Sequence, residues 1–524
     1  MPPTVRHILL PCLLLALCCT GFSHPCQSCH PQEVAGYALT GMGRSLHAAV
    51  TERDGDFVHA KSGSHFLIKS TPAGVFQRME QGGEKLDYRI DYVIGSGNHA
   101  SCYLARVGDH LFYSPICYYP TLGWNMAPGY ADLSAPAYVR PISEECLLCH
   151  SGHPLFISNS LNRYQTPAFS DEPISCDRCH GDATEHIKRP VRGSIMTIAK
   201  LEPDVRDSIC ERCHLSGERI TNPGKKEGDF RPGMRLEDVF SSYVWATPTQ
   251  GIDHFKILSS EQLPTSMCWK ASNGKMWCGS CHGFHSEELR HGNKPADVAA
   301  YYRDRCLACH TGAFTGNKHP SRTSDCIACH MPKSEVEGPY HSIFTDHRIK
   351  AVPDKQPGTS QMTELHAWRE PAPEFRERNI ALAYCKEALR LTSPELMARG
   401  YRMLLEVQKT FPDDPDVLTA IGNALLFNGD ALPAAGFFER VLEMRPNDPG
   451  SVDNAARAWL EAGDKETAAR HFEQALALDP LLIPDIDALL KIYRESGDRG
   501  KETALMDRVH QAMLTGRRTA APKR

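Results

Sequence analysis

The sequence predicts a mainly α protein in two parts: a domain of short helices and loops with a small antiparallel β insert, followed by an α-solenoid. Three observations predict it. A Cys-x-x-Cys-His pentapeptide recurs seven times between residues 26 and 330, where long periodic segments are few. A stretch of period-two alternation interrupts that region. The last third of the chain carries a 34-residue repeat with helical periodicity.

The seven pentapeptides are the strongest signal in the chain. With 21 Cys and 25 His in 524 residues, roughly 0.04 copies would arise by chance. The spacing is typical of covalent c-type haem attachment, in which two thiols bond one porphyrin and the adjoining histidine binds its iron. In chain order, the predicted attachment cysteines are Cys26, Cys29, Cys146, Cys149, Cys176, Cys179, Cys210, Cys213, Cys278, Cys281, Cys306, Cys309, Cys326 and Cys329. The predicted proximal iron ligands are His30, His150, His180, His214, His282, His310 and His330.

Zinc is the main alternative, because Cys-x-x-Cys pairs also build zinc sites. Such sites bring two ligand pairs together and do not require a histidine after every second cysteine. Seven copies of the full pentapeptide therefore favour seven covalently attached haems over zinc or redox dithiols.

Composition and the N-terminus indicate an exported protein. The formal charge of -5 argues against nucleic-acid binding. Arg6 precedes an apolar run that is too short for an ordinary membrane span, so residues 1–23 read as a signal peptide cleaved after Ser23. A lipoprotein is the alternative to a cleaved signal peptide, because Cys18 and Cys19 end the apolar run. We expect a periplasmic or otherwise exported protein that meets a membrane only if it is lipidated or through a partner.

The predicted haem domain spans residues 24–350 and contains a β-rich insert at about 51–135. Residues 86–94 alternate with period two, and residues 103–113 look like a hairpin that turns at Gly108 and Asp109. Cys102 and Cys117 either bridge this hairpin as a disulfide or remain two buried thiols.

Residues 351–372 are rich in proline and polar residues and are predicted to be a linker. Residues 373–515 carry the repeat, and residues 516–524 form a basic tail. The repeat is marked by Gly429, Gly463 and Gly497 and by Pro412, Pro446 and Pro480. Gly422, Ala434 and Phe438 match Ala456, Ala468 and Phe472 one unit later. These units resemble tetratricopeptide repeats (TPRs), which implies a solenoid with a groove for a partner protein. The alternative is a solenoid that caps the haem domain or forms a dimer.

Each haem iron can take a second ligand, and distal histidines are the expected choice. His186 and His285 follow the third and fifth motifs too closely to turn back onto their own irons, so a neighbouring haem is predicted. The other candidates are His99, expected at the first haems, and His254, His319, His341 and His347. The competitors are His47, His153 and Met42. His366, His471 and His510, in the linker or the solenoid, are predicted to lie on the surface.

The segments CHG-x4-H at 179–186, CHGFH at 281–285 and CHMPK at 329–333 with TDH at 345–347 resemble a multihaem cytochrome c family. That family is typified by the tetrahaem electron acceptor of hydroxylamine oxidoreductase. The resemblance covers roughly residues 140–350. It implies stacked haems with two histidine ligands each, an electron-transfer role, and distal roles for His186, His285 and His347. The chain departs from the family in its seven motifs, its β insert and its repeats.

Two functions of different class fit these observations. The first is electron transfer between redox protein partners, docked in part by the repeats. The second is a multihaem oxidoreductase that acts on a small nitrogen or sulfur compound at one iron with an open distal face. A Cys-x-x-Cys-Lys motif is absent from the sequence, so the lysine-ligated site of pentahaem nitrite reductases has no counterpart. A weaker third reading is a haem-bearing scaffold for the solenoid.

Overall fold

The computed structural model describes residues 25–247, 251–252, 259–286, 295–311, 325–333, 345–351 and 364–515. The predicted signal peptide and basic tail lie outside these ranges. None of the described helices combines the length and apolar character needed to cross a membrane.

A large antiparallel sheet follows the first motif and helix α1 (Pro31–Tyr37). Its strands are β1 (Leu46–Ala48), β2 (Gly55–His59), β3 (Ser64–Thr71), β4 (Gly74–Gln81), β5 (Glu84–Ile94), β6 (Ser101–Val107), β7 (His110–Tyr119) and β8 (Gly123–Met126). Strands β2 to β8 pair in sequence order, and β1 pairs with β5. Strands β2 and β8 also touch, so the sheet nearly closes into a barrel.

The sheet is larger than the small insert that the sequence predicts. It has eight strands and begins at Leu46 rather than near residue 51. Strands β3 and β4 alternate as well, and they place Phe66, Ile68 and Val75 in the core with 0% exposure. The predicted hairpin is confirmed by the β6–β7 pairing, and Cys102 is disulfide-bonded to Cys117 across it.

The alternation along β5 is broken by a register shift between Ile90 and Tyr92. Val93 is therefore fully buried, whereas a strict period of two would have pointed it outward with Asp91. At the other end of the strand, Leu86 is exposed rather than part of the core.

The motif-rich region consists of short helices and two further small sheets. Its helices are α2 (Glu144–His150), α3 (Asp177–His180), α4 (Thr184–Lys188), α5 (Pro203–His214), α6 (Ser259–Gln262), α7 (Met267–Ala271), α8 (Pro295–Leu307) and α9 (Cys326–His330). Its strands are β9 (His153–Phe156), β10 (Tyr164–Asp171), β11 (Glu218–Thr221), β12 (Phe240–Thr247), β13 (Gly251–Ile252) and β14 (Glu364–Ala367). Turns of 3-10 helix lie at Pro25–Ser28, Met42–Arg44, Ile198–Lys200, Glu227–Asp229, Leu236–Asp238, Leu263–Thr265, Cys278–Ser280 and Pro373–Phe375.

The predicted linker at 351–372 is wrong in part. Glu364–Ala367 is strand β14, which pairs with β12 beside β11. Leu365 is 3% exposed in the core beneath this sheet. This strand could not be predicted from the sequence, because four residues between polar, proline-rich neighbours show no measurable period.

The described residues from 376 to 515 form a run of paired helices. They are α10 (Arg376–Leu391), α11 (Pro394–Thr410), α12 (Pro415–Phe427), α13 (Ala431–Met444), α14 (Pro449–Glu461), α15 (Lys465–Leu478), α16 (Ile483–Ser496) and α17 (Arg499–Thr515). The repeat explains their boundaries. Asp414 and Asp448 cap α12 and α14 ahead of prolines, and Gly429 and Gly463 adopt positive φ in the turns that follow.

The small residues of the repeat lie where they were predicted. Phe438 and Phe472 are fully buried, as are Ala434, Ala456 and Ala468. A Cβ on Gly422 would come within 2.7 Å of the Phe438 ring, so only glycine lets α12 and α13 approach this closely. The array is a TPR-like solenoid by its own repeat and helix pairing.

Both ends of the solenoid pack against the rest of the chain. Helix α10 shares a core with Ile220, Tyr243 and Leu365 of the β11–β12–β14 sheet. At the other end, Nε2 of His110 on β7 lies 2.5 Å from Oδ1 of Asp479, and both side chains are buried. The solenoid therefore packs against both the β11–β12–β14 sheet and the barrel.

Candidate functional site

Each motif that the structure describes occupies one helical turn. The motif histidine N–H donates to the carbonyl of the first cysteine in the first, third, fifth and sixth motifs, at 2.8, 2.9, 2.9 and 2.9 Å. The second, fourth and seventh motifs lie at the ends of α2, α5 and α9. Residues three apart on a turn share one side, so both thiols of a motif face the same way.

Three motif histidines face a second histidine from another part of the chain. The ring centroids are 6.3 Å apart for His30 and His186, 6.1 Å for His180 and His285, and 6.1 Å for His282 and His347. The ring planes are inclined by 25°, 12° and 27° in the same order. The second member of each pair is one of the histidines that the sequence predicts as distal ligands.

The spacing within these pairs fits a metal ion between the rings. Two imidazole nitrogens at about 2.0–2.1 Å from one metal would place the ring centroids roughly 6.2–6.4 Å apart, because each centroid lies about 1.1 Å behind its nitrogen. Rings in direct face contact would approach to about 3.5–4.0 Å. The observed pairs match the wider arrangement.

Hydrogen bonds at Nδ1 orient several of these rings. Nδ1 of His186 lies 2.7 Å from the Ser194 hydroxyl, which itself donates to the Val191 carbonyl. The hydroxyl has no second proton, so Nδ1–H of His186 donates to it. Nε2 of His186 is then left with the lone pair that a metal needs.

Backbone carbonyls fix the tautomer with a proton on Nδ1 at three other histidines, because a carbonyl oxygen can only accept a hydrogen bond. Nδ1–H donates from His180 to Met196 at 3.3 Å, from His347 to Thr345 at 2.8 Å and from His330 to Lys350 at 2.8 Å. An outer hydrogen bond of this kind is the usual second-shell support of a metal-binding histidine.

The motifs also form a connected group. Thiols of different motifs share hydrogen bonds in the pairs Cys26 and Cys176, Cys149 and Cys213, Cys210 and Cys278, and Cys306 and Cys326. Electrostatic interactions join Cys179 to Cys210 and Cys281 to Cys306. Every one of the seven motifs therefore neighbours at least one other, and together they form one connected group in which the second motif branches from the fourth.

Two motif histidines, His214 and His282, have lowered pKa values. Burial and then the neighbouring His347 and His214 lower the pKa of His282 to about 4. Burial and then His347 also lower the pKa of His214. Both residues are nevertheless exposed to solvent in part, although many protein atoms surround their rings. They are neutral near pH 7, which is the protonation state that binds metals.

The other predicted ligands have different surroundings. His254, His319 and His341 lie outside the described residues. Burial and then the charge of Lys333, three residues after the seventh motif, lower the pKa of His99. The expected role of His99 at the first haems stays a prediction. His153 binds Asp177 at 2.9 Å.

Two tyrosines that no sequence motif indicates contact the paired histidines. The hydroxyl of Tyr37, at the end of α1, donates to the Ile174 carbonyl at 2.7 Å, and its ring meets His285 edge-on at 6.4 Å. The hydroxyl of Tyr302 lies 3.1 Å from Nδ1 of His282. Tyr37 follows His30 by seven residues and Tyr302 follows His282 by twenty, and neither spacing belongs to a motif that would predict such contacts.

Within the described ranges, no three Cys, His, Asp or Glu side chains converge as a metal-binding group. A tetrahedral zinc site needs four ligands, whereas a haem iron takes only two from the protein, because the porphyrin supplies the others.

No protein-family model and no curated protein matches the chain. Solved structures do match part of it. "MamA MSR-1" is 19% identical with a TM-score of 0.24 and covers 28% of this chain and 80% of its own. A Podospora anserina kinesin light chain with nearly identical TPR-like repeats is 19% identical with a TM-score of 0.22 and covers 29% of this chain and 80% of its own.

Proposed function

We propose that the protein is an exported heptahaem c-type cytochrome that transfers electrons between redox partners. The observation that carries this proposal is the set of three histidine pairs, each joining a motif histidine to a distant one across a space suited to one metal ion. The seven Cys-x-x-Cys-His motifs supply the thiols for covalent attachment. Haem c, when bound, supplies a one-electron iron couple.

The histidine pairs favour electron transfer over catalysis. Two imidazoles on one iron fill both axial positions and exclude water and small substrates from the metal. Ser194, Met196 and Thr345 hold three of these rings by Nδ1, so each ring is oriented before the metal binds. A rigid six-coordinate site changes little between oxidation states, which suits rapid transfer.

The arrangement of the motifs supports a continuous path. Contacts or electrostatic interactions between thiols link the first motif to the third, the third to the fourth, the fourth to the fifth, the fifth to the sixth and the sixth to the seventh, and the second motif joins the fourth. Cofactors attached at such neighbouring thiols would lie near one another. The chain would then conduct between its first and seventh motifs without a diffusing carrier.

We further propose that the TPR-like solenoid docks a redox protein. Its two ends are occupied by the internal sheets, so the partner would meet the outward surface between them. Leu432 on α13 is 63% exposed and is the most exposed large apolar residue described in the solenoid. Replacing Leu432 with Asp should slow reduction by a periplasmic extract but not by dithionite. The matched change on the barrel, Leu86→Asp, should alter neither rate.

Ligand titration of the ferric protein tests the electron-transfer function against the oxidoreductase alternative. We expect low-spin spectra and no reaction with nitrite, hydroxylamine or cyanide. A high-spin component of about one haem in seven that binds nitrite or hydroxylamine would instead favour the oxidoreductase.

A further inference from the structure

The His282–His347 pair has a hydrogen-bond partner at each of its two rings. Nδ1 of His347 donates to the Thr345 carbonyl at 2.8 Å, and Nδ1 of His282 lies 3.1 Å from the hydroxyl of Tyr302. The ring of Tyr302 also meets the His282 ring edge-on, with centroids 5.6 Å apart and planes inclined by 72°. Both the hydroxyl and the ring of Tyr302 therefore contact the histidine of the fifth motif.

Tyr302 lies on α8, the helix that leads into the sixth motif. Cys306, the first cysteine of that motif, follows Tyr302 by four residues on the same helix. Residues four apart on a helix share one face, with Cβ atoms about 5–6 Å apart. The face of α8 that carries an attachment thiol of the sixth motif therefore also carries the hydroxyl beside His282.

The direction of the hydrogen bond between Tyr302 and His282 follows from the proposed function. A neutral imidazole that binds iron through Nε2 has its proton on Nδ1. Nδ1 of His282 then donates, and the Tyr302 oxygen accepts. A histidine that donates in this way is a more basic ligand. A more basic ligand stabilises ferric iron more than ferrous iron, because ferric iron carries the larger positive charge.

We propose that the Tyr302 hydroxyl lowers the reduction potential of the haem attached at the fifth motif. The inference rests on the proposed function and adds a positioning residue that belongs neither to a motif nor to a histidine pair. Hydrogen bonds to an axial ligand are one of the means by which a protein sets a haem potential. Because α8 also carries Cys306, a shift of this helix at the sixth motif would change the hydrogen bond at the fifth.

Spectroelectrochemical titration of Tyr302→Phe in the full-length protein tests this role. Phenylalanine keeps the ring that meets His282 and removes only the hydroxyl oxygen. We expect seven low-spin haems, as in the wild type, with one of them shifted to higher potential. The electron paramagnetic resonance signal of one ferric haem should change as well, because the ligand field at the iron depends on the basicity of the imidazole.

Tyr301→Phe is the matched control. The Tyr301 ring meets Tyr302 edge-on with centroids 5.3 Å apart, and its hydroxyl accepts from Nη2 of Arg305 at 3.0 Å. Loss of this hydroxyl should shift no haem potential. Unchanged or lowered potentials in Tyr302→Phe, or an equal shift in Tyr301→Phe, would overturn the role of Tyr302 while leaving the cytochrome intact. A wild-type protein without haem would instead refute the proposed function itself.

Discussion

His180 and His285 face each other with ring centroids 6.1 Å apart and planes inclined by 12°. His180 ends the third motif and His285 follows the fifth, so 105 residues separate the two rings along the chain. Apolar packing gives no reason for two imidazoles to meet at that distance. The iron that we propose between them would account for this distance.

Replacing His285 with Ala should open one distal position. We expect about one haem in seven to become high-spin and to bind cyanide, because a single ligand is removed from a single iron. Electronic and electron paramagnetic resonance spectra measure the change. His153→Ala is the matched control, since His153 binds Asp177 instead of facing a motif histidine. A His285→Ala protein with a fully low-spin spectrum would count against the pairing.

Ser194→Ala tests the hydrogen bond that orients His186. Without this acceptor at 2.7 Å, the ring loses its fixed tautomer and some basicity. Loss of such an outer-shell partner typically weakens metal binding about 10–100-fold. Cyanide should therefore displace His186 more readily in Ser194→Ala. Ser160→Ala, which removes only a bond to the Ile157 carbonyl, should behave as wild type.

Asp479→Asn tests the contact between barrel and solenoid. Breaking a buried charge pair typically lowers the free energy of unfolding by about 3–5 kcal/mol. Urea unfolding at neutral pH measures this, with Asp132→Asn as control. Asp132 is 98% exposed in its pair with Lys61, so its loss should cost less than about 1 kcal/mol. Equal effects of the two changes would contradict a role for the buried pair.

The contribution of the His110–Asp479 contact to the free energy of unfolding should depend on pH. Burial alone would lower the pKa of His110, but hydrogen bonds to Asp109 and Asp479 raise it. This stabilisation is complete below the unfolded pKa of about 6.5 and is lost as pH rises through the raised folded value. Against the effect of burial, His110 and Arg163 lower the pKa of Asp109 to about 2, so its contribution is lost only as pH falls through that value. Stability of the wild type should fall as pH rises above about 6.5, and it should fall by less in Asp479→Asn, which keeps only Asp109 beside His110.

The Cys102–Cys117 disulfide should stabilise the barrel. It closes a loop of 15 residues, for which chain entropy predicts about 3 kcal/mol. The double change Cys102→Ala and Cys117→Ala should lower the free energy of unfolding by that order, as measured by urea denaturation. Reductant should destabilise the wild type but leave the double variant unchanged. A variant as stable as the oxidised wild type would contradict this.

Local spacing predicted much of the site. His186 and His285 follow their own motif histidines so closely that only another motif could receive them, and the structure brings them to His30 and His180. The solenoid could also be predicted from the sequence, because Gly422 and Phe438 are matched 34 residues later by Ala456 and Phe472.

Features that depend on distant parts of the chain were not predictable. The choice of partner for each distal histidine depends on how the motifs pack, and so does the contact of Tyr302 with His282. Strand β14 and the near closure of the barrel need partners far away in sequence. Trp124 on β8 packs against Gly55 on β2, and neither residue signals the other.

Haem content per chain tests the central claim most directly. The mass of the purified mature protein should exceed that of its polypeptide by seven haems, and the haem should resist extraction by acid and organic solvent because it is held by thioethers. A colourless protein, or one whose mass equals that of the polypeptide alone, would contradict the account.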